Sequence, residues 1–247
     1  MAFLIDVHCH LDLCEDIDSA VERAKEAGVC AIIANGTNPE SNLRVLELAK
    51  KYDIVKAALG IYPLEGLELS ENAFDDLLKF IEKHKDQIIA LGEVGVDYHT
   101  IKDKNEEQKE NFLKIIRLSE KIKKPMIVHS RKAESDVLDI LESSNVKKAV
   151  MHCFNGNMKL VKRAEDLGYY FSIPTNIVSL KHFQEVVERV QMERILTETD
   201  APWLSPFKGG KNEPAFVAES IKKIAETKKM THEEIANVVY MNYQRVF

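Results

Sequence analysis

Histidine and carboxylate residues recur at short spacings along this sequence of 247 residues. The clearest group is Asp6-Val7-His8-Cys9-His10, because the alternation of a β-strand places Asp6, His8 and His10 on one face. The two histidines are then about 6.6 Å apart along the backbone, which lets both rings converge on one ion. Imidazole and carboxylate groups are common ligands of divalent cations. The pattern therefore predicts a metal site.

Four more residues of ligand type end later runs of apolar and β-branched residues: Glu93, His129, His152 and Asp200. Taken singly, each is compatible with an ordinary hydrogen-bonded, salt-bridged or turn residue. Taken together they favour a metal centre, because a buried cluster without an ion would leave polar groups unsatisfied and like charges unpaired.

The elements that must position these residues alternate between short β-branched runs and amphipathic stretches. Strands are predicted at 4–8, 31–36, 55–60, 88–94, 126–129, 149–153, 169–173 and 195–199. Eight βα units in a chain of this length are typical of an α/β fold of the (β/α)8 TIM-barrel class, with reactive residues at the C-terminal ends of the strands. A doubly wound sheet is the alternative, and it is disfavoured because no G-x-G-x-x-G follows the first strand.

Helix boundaries are visible in places. Asp18 precedes a helical run that ends at Gly28, and Thr231-His232-Glu233-Glu234 has the pattern of a capping box. No stretch has the composition of a linker, so we expect one barrel domain over residues 1–247.

Composition excludes several classes of protein. With 10 Gly and 7 Pro the chain is neither disordered nor collagenous. Its formal net charge of -6 disfavours a protein that coats nucleic acid by charge alone, but it is compatible with an enzyme that acts on nucleic acid. The longest apolar run, 29–34, is far shorter than the roughly 18 residues of a membrane span, and residues 1–6 contain no basic region of a signal peptide. A cytoplasmic protein with no membrane partner is expected.

Five short motifs, in order along the chain, resemble those of the TatD family of metal-dependent hydrolases, a branch of the amidohydrolase-type barrels. They are Asp6-Val7-His8-Cys9-His10-Leu11-Asp12, Gly92-Glu93-Val94-Gly95-Val96-Asp97-Tyr98, Pro125-Met126-Ile127-Val128-His129-Ser130-Arg131, His152-Cys153-Phe154-Asn155-Gly156 and Glu198-Thr199-Asp200-Ala201-Pro202-Trp203-Leu204. Segments 211–214 and 241–247 are similar too, so the resemblance spans nearly the whole chain.

The resemblance implies two divalent ions that share one carboxylate. The implied ligands are His8, His10 and Asp200 for the first ion, His129 and His152 for the second, and Glu93 for both. Such a nitrogen and oxygen set suits zinc, manganese or magnesium. Two ions about 4 Å apart can activate a water and hold a phosphate between them. Asp200 is the candidate general base, while Asp6 and Glu198 are expected to accept hydrogen bonds from N–H groups of the ligands.

The resemblance also implies a substrate, since this family mainly hydrolyses DNA, often as a 3′ to 5′ exonuclease. DNA, as single strands or 3′ ends, is the expected partner, and no obligatory protein partner is predicted. Arg131 is a candidate to bind phosphate in a bidentate fork, although a surface arginine has the same sequence pattern. Trp203 is a candidate to stack on a base, although it is equally compatible with packing beneath the loop 203–214. That loop, with Lys208 and Lys211, is expected to be flexible and cationic.

One position departs from the family pattern. The family usually has histidine in a G-x-H-P motif, whereas this chain has Gly60-Ile61-Tyr62-Pro63. Tyrosine can donate a hydrogen bond to a phosphoryl oxygen but does not exchange a proton near neutral pH. We expect Tyr62 to act in catalysis by orienting the substrate phosphate.

Two other functions stay open from the residues. The same metal centre could hydrolyse an amide, a lactone or an aminoacyl ester, because an activated water also attacks carbonyl groups. The fourth strand ends without the lysine that many binuclear amidohydrolases carbamylate, which favours the TatD-like branch. A barrel that binds metal without turnover is the third possibility, and the intact Glu93 and Asp200 argue against it.

Overall fold

Eight parallel strands form a nearly closed barrel in the computed structural model, which describes residues 3–247. Met1 and Ala2, part of the segment considered for a signal peptide, lie outside the described residues. The strands are β1 (Leu4–Cys9), β2 (Val29–Asn35), β3 (Val55–Ile61), β4 (Ala90–Gly95), β5 (Met126–His129), β6 (Ala149–His152), β7 (Tyr170–Ile173) and β8 (Ile195–Thr197). Neighbouring strands follow chain order from β1 to β8, so the (β/α)8 prediction is confirmed. The doubly wound alternative is wrong, because its strand order would reverse within the sheet.

Strands β1 and β8 meet where the barrel closes. The Thr197 hydroxyl donates to the Ile5 carbonyl at 2.6 Å. Beyond the end of β8, the main-chain N–H of Asp200 donates to the His8 carbonyl at 2.9 Å, and that of His10 donates to the Ala201 carbonyl at 2.9 Å. These bonds bring Asp200 beside the two histidines of the first strand, although they are far apart in sequence.

Helices cover the outside of the barrel. Within residues 3–247 the α-helices are α1 (Ile17–Glu26), α2 (Pro39–Lys51), α3 (Pro63–Glu68), α4 (Glu71–Lys83), α5 (Asn105–Ile122), α6 (Glu134–Glu142), α7 (Met158–Asp166), α8 (Lys181–Arg189), α9 (Val217–Lys228) and α10 (His232–Val246). Their inner faces are apolar, as in α4, where Phe74, Leu77 and Ile81 recur at helical spacing and are buried. The buried apolar side chains form one cluster that joins strands to helices.

The N-terminal caps of two helices can be compared with the prediction from sequence. The predicted capping box is present at α10, where Thr231 Oγ1 accepts the Glu234 N–H and the Glu234 carboxylate accepts the Thr231 N–H. The start of α1 differs from the prediction, since Asp16, not Asp18, caps it by accepting the Ser19 N–H at 3.1 Å. Asp18 lies inside the first turn, where its carboxylate bonds Lys51 and Tyr52 of the neighbouring helix end.

In the described part of the chain, no helix is both long enough and apolar enough to cross a membrane.

Candidate metal centre

The first group of ligand-type residues lies at the closure of the barrel. His8 ends the inward face of β1, and His10 follows the strand by one residue. Their Nε2 atoms are 3.2 Å apart, and Asp200 Oδ1 is 3.4 Å from the first and 3.5 Å from the second. Both rings are buried, with exposed fractions of 0% and 4%. Three donor atoms therefore surround one point.

The second group surrounds Glu93, which lies in β4. Glu93 Oε1 is 2.8 Å from His129 Nδ1 and 3.8 Å from His152 Nε2. Its other oxygen, Oε2, is 3.3 Å from His10 Nε2 and 3.7 Å from His8 Nε2. Each carboxylate oxygen of Glu93 thus faces a different pair of histidines. The structure brings together all six ligand positions that the sequence indicated.

The chemistry of these side chains fits divalent cations. Burial lowers the pKa of His8 and of His152, so both rings are neutral with a lone pair available. At His10 burial also acts to lower the pKa, but hydrogen bonds to Asp200 and Glu93 outweigh it and raise the pKa to about 10. Such a strong preference for a proton shows that the carboxylates create a negative potential at these nitrogens. A metal ion supplies the positive charge that this potential favours.

Glu198 orients one of the histidines. Its carboxylate is fully buried and accepts His152 Nδ1–H at 2.8 Å, the Cys153 N–H at 3.1 Å and the Ser172 hydroxyl. Burial raises the pKa of Glu198 well above its usual range. Because Nδ1 of His152 is held in this way, Nε2 points to the centre. This is the contact that was predicted for Glu198.

Asp6 accepts an N–H of a ligand-type residue as predicted, but it is the main-chain N–H of His8 and not a ring N–H. Its carboxylate accepts the Thr199 N–H at 2.9 Å, the Thr199 hydroxyl at 2.5 Å and the His8 main-chain N–H at 3.3 Å. It therefore ties β1 to the segment after β8 and does not reach a histidine ring. Burial raises its pKa to about 8. His8 Nδ1 is buried and has no hydrogen-bond partner in the part of the chain that the structure describes.

Asp97 is a site residue to which sequence reasoning assigned no role. It is fully buried two positions after β4, and its Oδ2 lies 2.9 Å from His129 Nε2. Burial acts to raise the pKa of Asp97, but the hydrogen bond and charge of His129 lower it to about 2. Its place in the same motif as Glu93 was the available signal. Asp97 orients His129 as Glu198 orients His152.

Three candidate substrate residues surround the mouth of the barrel. Tyr62, half-buried at the end of β3, donates its hydroxyl to Asp97 Oδ2 at 3.0 Å. Arg131 is exposed and forms no ion pair with another residue of 3–247. Trp203 is 51% exposed, and its ring centroid lies 5.1 Å from that of His10.

The loop 203–214 is anchored at its end, which differs from the expected flexible cationic segment. Asn212 is buried and donates to the Thr199 carbonyl at 2.7 Å and to the Thr175 hydroxyl at 2.8 Å. Lys211 is paired with Glu15, so its charge is partly neutralised. A buried amide that satisfies two acceptors holds the backbone in place. The sequence does not show these partners because they belong to distant segments.

A family model described as TatD related DNase matches residues 5–247. This chain belongs to the TatD family. It is 35% identical to the uncharacterized metal-dependent hydrolase YabD of Bacillus subtilis, over 99% of this chain and 98% of that protein. It is 31% identical to the human deoxyribonuclease TATDN3, over 99% of this chain and 94% of that protein.

A solved structure agrees with the family assignment. The crystal structure of YjjV, a TatD homolog from Escherichia coli, superposes with a TM-score of 0.93 at 28% sequence identity, covering 99% of this chain and 97% of YjjV. This TatD family member is therefore a metal-dependent hydrolase with a TIM-barrel fold, and the resemblance identified from the motifs is confirmed.

Proposed function

We propose that this hydrolase is a deoxyribonuclease that shortens DNA from its 3′ ends by phosphodiester hydrolysis with two divalent ions. The observation that carries the proposal is the position of Glu93, whose two carboxylate oxygens face separate histidine pairs. A carboxylate whose two oxygens face separate ligand groups could serve two neighbouring cations. The name of the human relative, deoxyribonuclease TATDN3, supports the choice of substrate.

The proposed ligands are distributed as the geometry groups them: His8, His10 and Asp200 for one ion, His129 and His152 for the other, and Glu93 for both. Zinc, manganese and magnesium are all compatible with this mixed set. When bound, the two ions would acidify a water and neutralise charge on the scissile phosphate.

Asp200 is proposed as the general base that accepts the proton of the attacking water. Burial acts to raise its pKa, but hydrogen bonds to His10 and His8 outweigh it and keep the pKa well below the usual range. The carboxylate is therefore ionised, as a general base must be before the reaction. It is also less enclosed than the other ligand carboxylate, with an exposed side-chain fraction of 14% against 4% for Glu93.

Two residues at the mouth are proposed to bind the nucleotide. Arg131 presents an exposed guanidinium that forms no ion pair within residues 3–247, and this group can bind two phosphate oxygens in a fork. Trp203 presents an exposed ring beside His10, on which a terminal base can stack. Stacking of this kind requires an unpaired base, so single-stranded ends are the preferred substrate.

The test is hydrolysis of three substrate sets by apo protein reconstituted with magnesium, manganese or zinc. The sets are end-labelled single- and double-stranded DNA, a generic phosphodiester, and a panel of esters and amides. We expect stepwise shortening of DNA from the 3′ end, with the single-stranded form faster. Asp200→Asn should abolish it, while the same change at the exposed Asp53 should leave it intact.

Either of two results would contradict the proposal. Activity confined to the ester and amide panel would replace the nuclease with a carbonyl hydrolase on the same centre. No hydrolysis in any set, with ions bound, would leave a barrel that binds metal without turnover.

A further inference from the structure

The hydroxyl group of Tyr62 is engaged inside the barrel. It lies 3.0 Å from Asp97 Oδ2, and a phenol has one proton to donate. An ionised carboxylate only accepts, so Tyr62 must be the donor in this bond. That proton is then not available at the same time for a phosphate oxygen of a substrate.

The carboxylate of Asp97 is fixed from its other side. Oδ1 accepts the His99 N–H at 2.8 Å, which orients the group within its turn. The Gln108 side chain, from α5, accepts the Asp97 N–H at 2.8 Å and donates to its carbonyl at 2.9 Å. With the main chain and Oδ1 held, Oδ2 faces both Tyr62 and His129.

The bond from Asp97 determines which nitrogen His129 offers to an ion. Both ring nitrogens face a carboxylate, since Nε2 lies 2.9 Å from Asp97 Oδ2 and Nδ1 lies 2.8 Å from Glu93 Oε1. Because Asp97 holds a proton on Nε2, Nδ1 is the nitrogen that would give up its proton to an ion on the side of Glu93. The Tyr62 ring also packs edge-on against the His129 ring, with centroids 5.1 Å apart and planes at 68°. Tyr62 thus contacts both members of the Asp97–His129 pair.

We propose that Tyr62 is a positioning residue for the ion held by His129 and His152, acting through Asp97. This proposal rests on the two-ion centre of the proposed function. Removal of the phenolic hydroxyl leaves Asp97 Oδ2 with one hydrogen-bond donor in place of two. The Asp97 carboxylate and the His129 ring can then rotate together, so the direction of Nδ1 is less restricted. The role differs from contact with the substrate phosphate, which was the expectation from sequence.

The test is metal binding to apo protein, followed by calorimetric titration with manganese and by visible absorption of the cobalt-substituted protein. In Tyr62→Phe we expect the dissociation constant of one ion to rise about tenfold, the lower end of the range for partners of metal ligands. The cobalt bands of that ion should change while the other ion binds as in wild type. His10→Ala should weaken binding of the first ion, so it shows which of the two binding events in the titration belongs to which ion.

The matched control is Tyr98→Phe. Tyr98 also donates its hydroxyl to an aspartate, Asp136 at 2.8 Å, but that carboxylate contacts none of the ligand-type residues. The control variant should bind both ions as wild type does. Asp97→Asn should weaken the same ion as Tyr62→Phe does, and thermal unfolding confirms that each variant is folded.

Two outcomes would overturn the inference. One is a Tyr62→Phe protein with wild-type affinity and cobalt bands for both ions. The other is a wild-type protein that binds only one ion, together with an Asp97→Asn variant that binds this ion with the same affinity. Neither readout uses DNA cleavage, so failure of the nuclease proposal is a separate result.

Discussion

At the scale of residues, the rings of His129 and His152 follow one rule. Each presents one nitrogen to the centre and donates from the other to a carboxylate, Asp97 or Glu198. Such a carboxylate fixes the tautomer and makes the free nitrogen more basic. His8 does not follow this rule, because its Nδ1 has no hydrogen-bond partner within residues 3–247, and its ring stacks on that of His152 with centroids 3.7 Å apart. The centre therefore depends on partners that touch no ion themselves.

Glu198→Gln tests that dependence. Glutamine has one amide oxygen and one NH2 group in place of two acceptor oxygens, so His152 Nδ1–H keeps a weaker acceptor or faces the NH2 group and turns away. We expect the affinity for the ion at His152 to fall by about 10- to 100-fold. Calorimetric titration of apo protein measures it, and the same change at the exposed Glu68 is the control. Unchanged affinity in Glu198→Gln would show that the ring is held by packing alone.

At the scale of elements, the site depends on how closely strands β4 and β5 approach. Gly95 ends β4 and pairs with His129 at the end of β5. Its φ is +146°, and a Cβ there would lie 1.9 Å from the His129 carbonyl oxygen. Only glycine allows this close approach of the two strands. The approach fixes the position of His129 along β5 relative to Glu93 and Asp97.

Gly95→Ala should therefore destabilise the whole barrel. A clash with main chain at a disallowed φ costs about 3 kcal/mol or more of unfolding free energy. For a chain of this size that corresponds to a fall in Tm of roughly 6 to 12 °C by calorimetry. Gly210→Ala is the control, because the atoms nearest to its added Cβ lie at 3.5 Å. Equal Tm values for the two variants would refute the close-approach argument.

At the scale of the whole molecule, the barrel gathers buried acidic groups in one place. Asp6, Glu93, Asp97 and Glu198 are all at most 3% exposed, with Asp200 beside them. The pKa values of Glu93, Asp97 and Asp200 are all lowered, so these three carboxylates are ionised and repel one another in the dry interior. Cations that bind only the folded state therefore stabilise it.

Removal of metal should accordingly lower the thermal stability. At a free ion concentration of 1,000 times the dissociation constant, one bound ion adds about 4 kcal/mol to the free energy of unfolding. For a protein of this size that corresponds to a rise in Tm of roughly 8 to 16 °C. Scanning calorimetry with chelator and with saturating manganese measures the difference. In the His10→Ala variant the difference in Tm between the two conditions should be smaller. A wild-type Tm that is the same under both conditions would show that the centre binds no ion strongly.

The charge of the molecule predicts how DNA binding responds to salt. With a formal net charge of -6, we expect attraction to phosphate to be confined to a few exposed cations such as Arg131 and Lys208. The slope of log affinity against log salt should have a magnitude below about 4, against about 10 for proteins with extensive phosphate contacts. Binding measured between low and moderate salt on Asp200→Asn, which does not degrade the DNA, tests this. A steep slope would indicate an extended basic surface.

The sequence by itself determined the barrel and the six residues of ligand type that the structure brings together. Both depend on local patterns, because strand alternation and position at a strand end are properties of short segments. His8, His10 and His129 were placed in this way, without knowledge of which strands pair. The capping box of Thr231 is equally local, since its partner lies three residues away.

Only the tertiary structure decided which partner each site residue meets. Glu198 reaches the His152 ring from 46 positions away while Asp6 does not reach a ring, and Tyr62 bonds Asp97 from 35 positions away. These contacts depend on the register between strands and on the closure of β8 against β1. Register is set by the packing of the whole barrel, where a shift of one residue turns every side chain to the opposite face. No local pattern in the sequence contains that information.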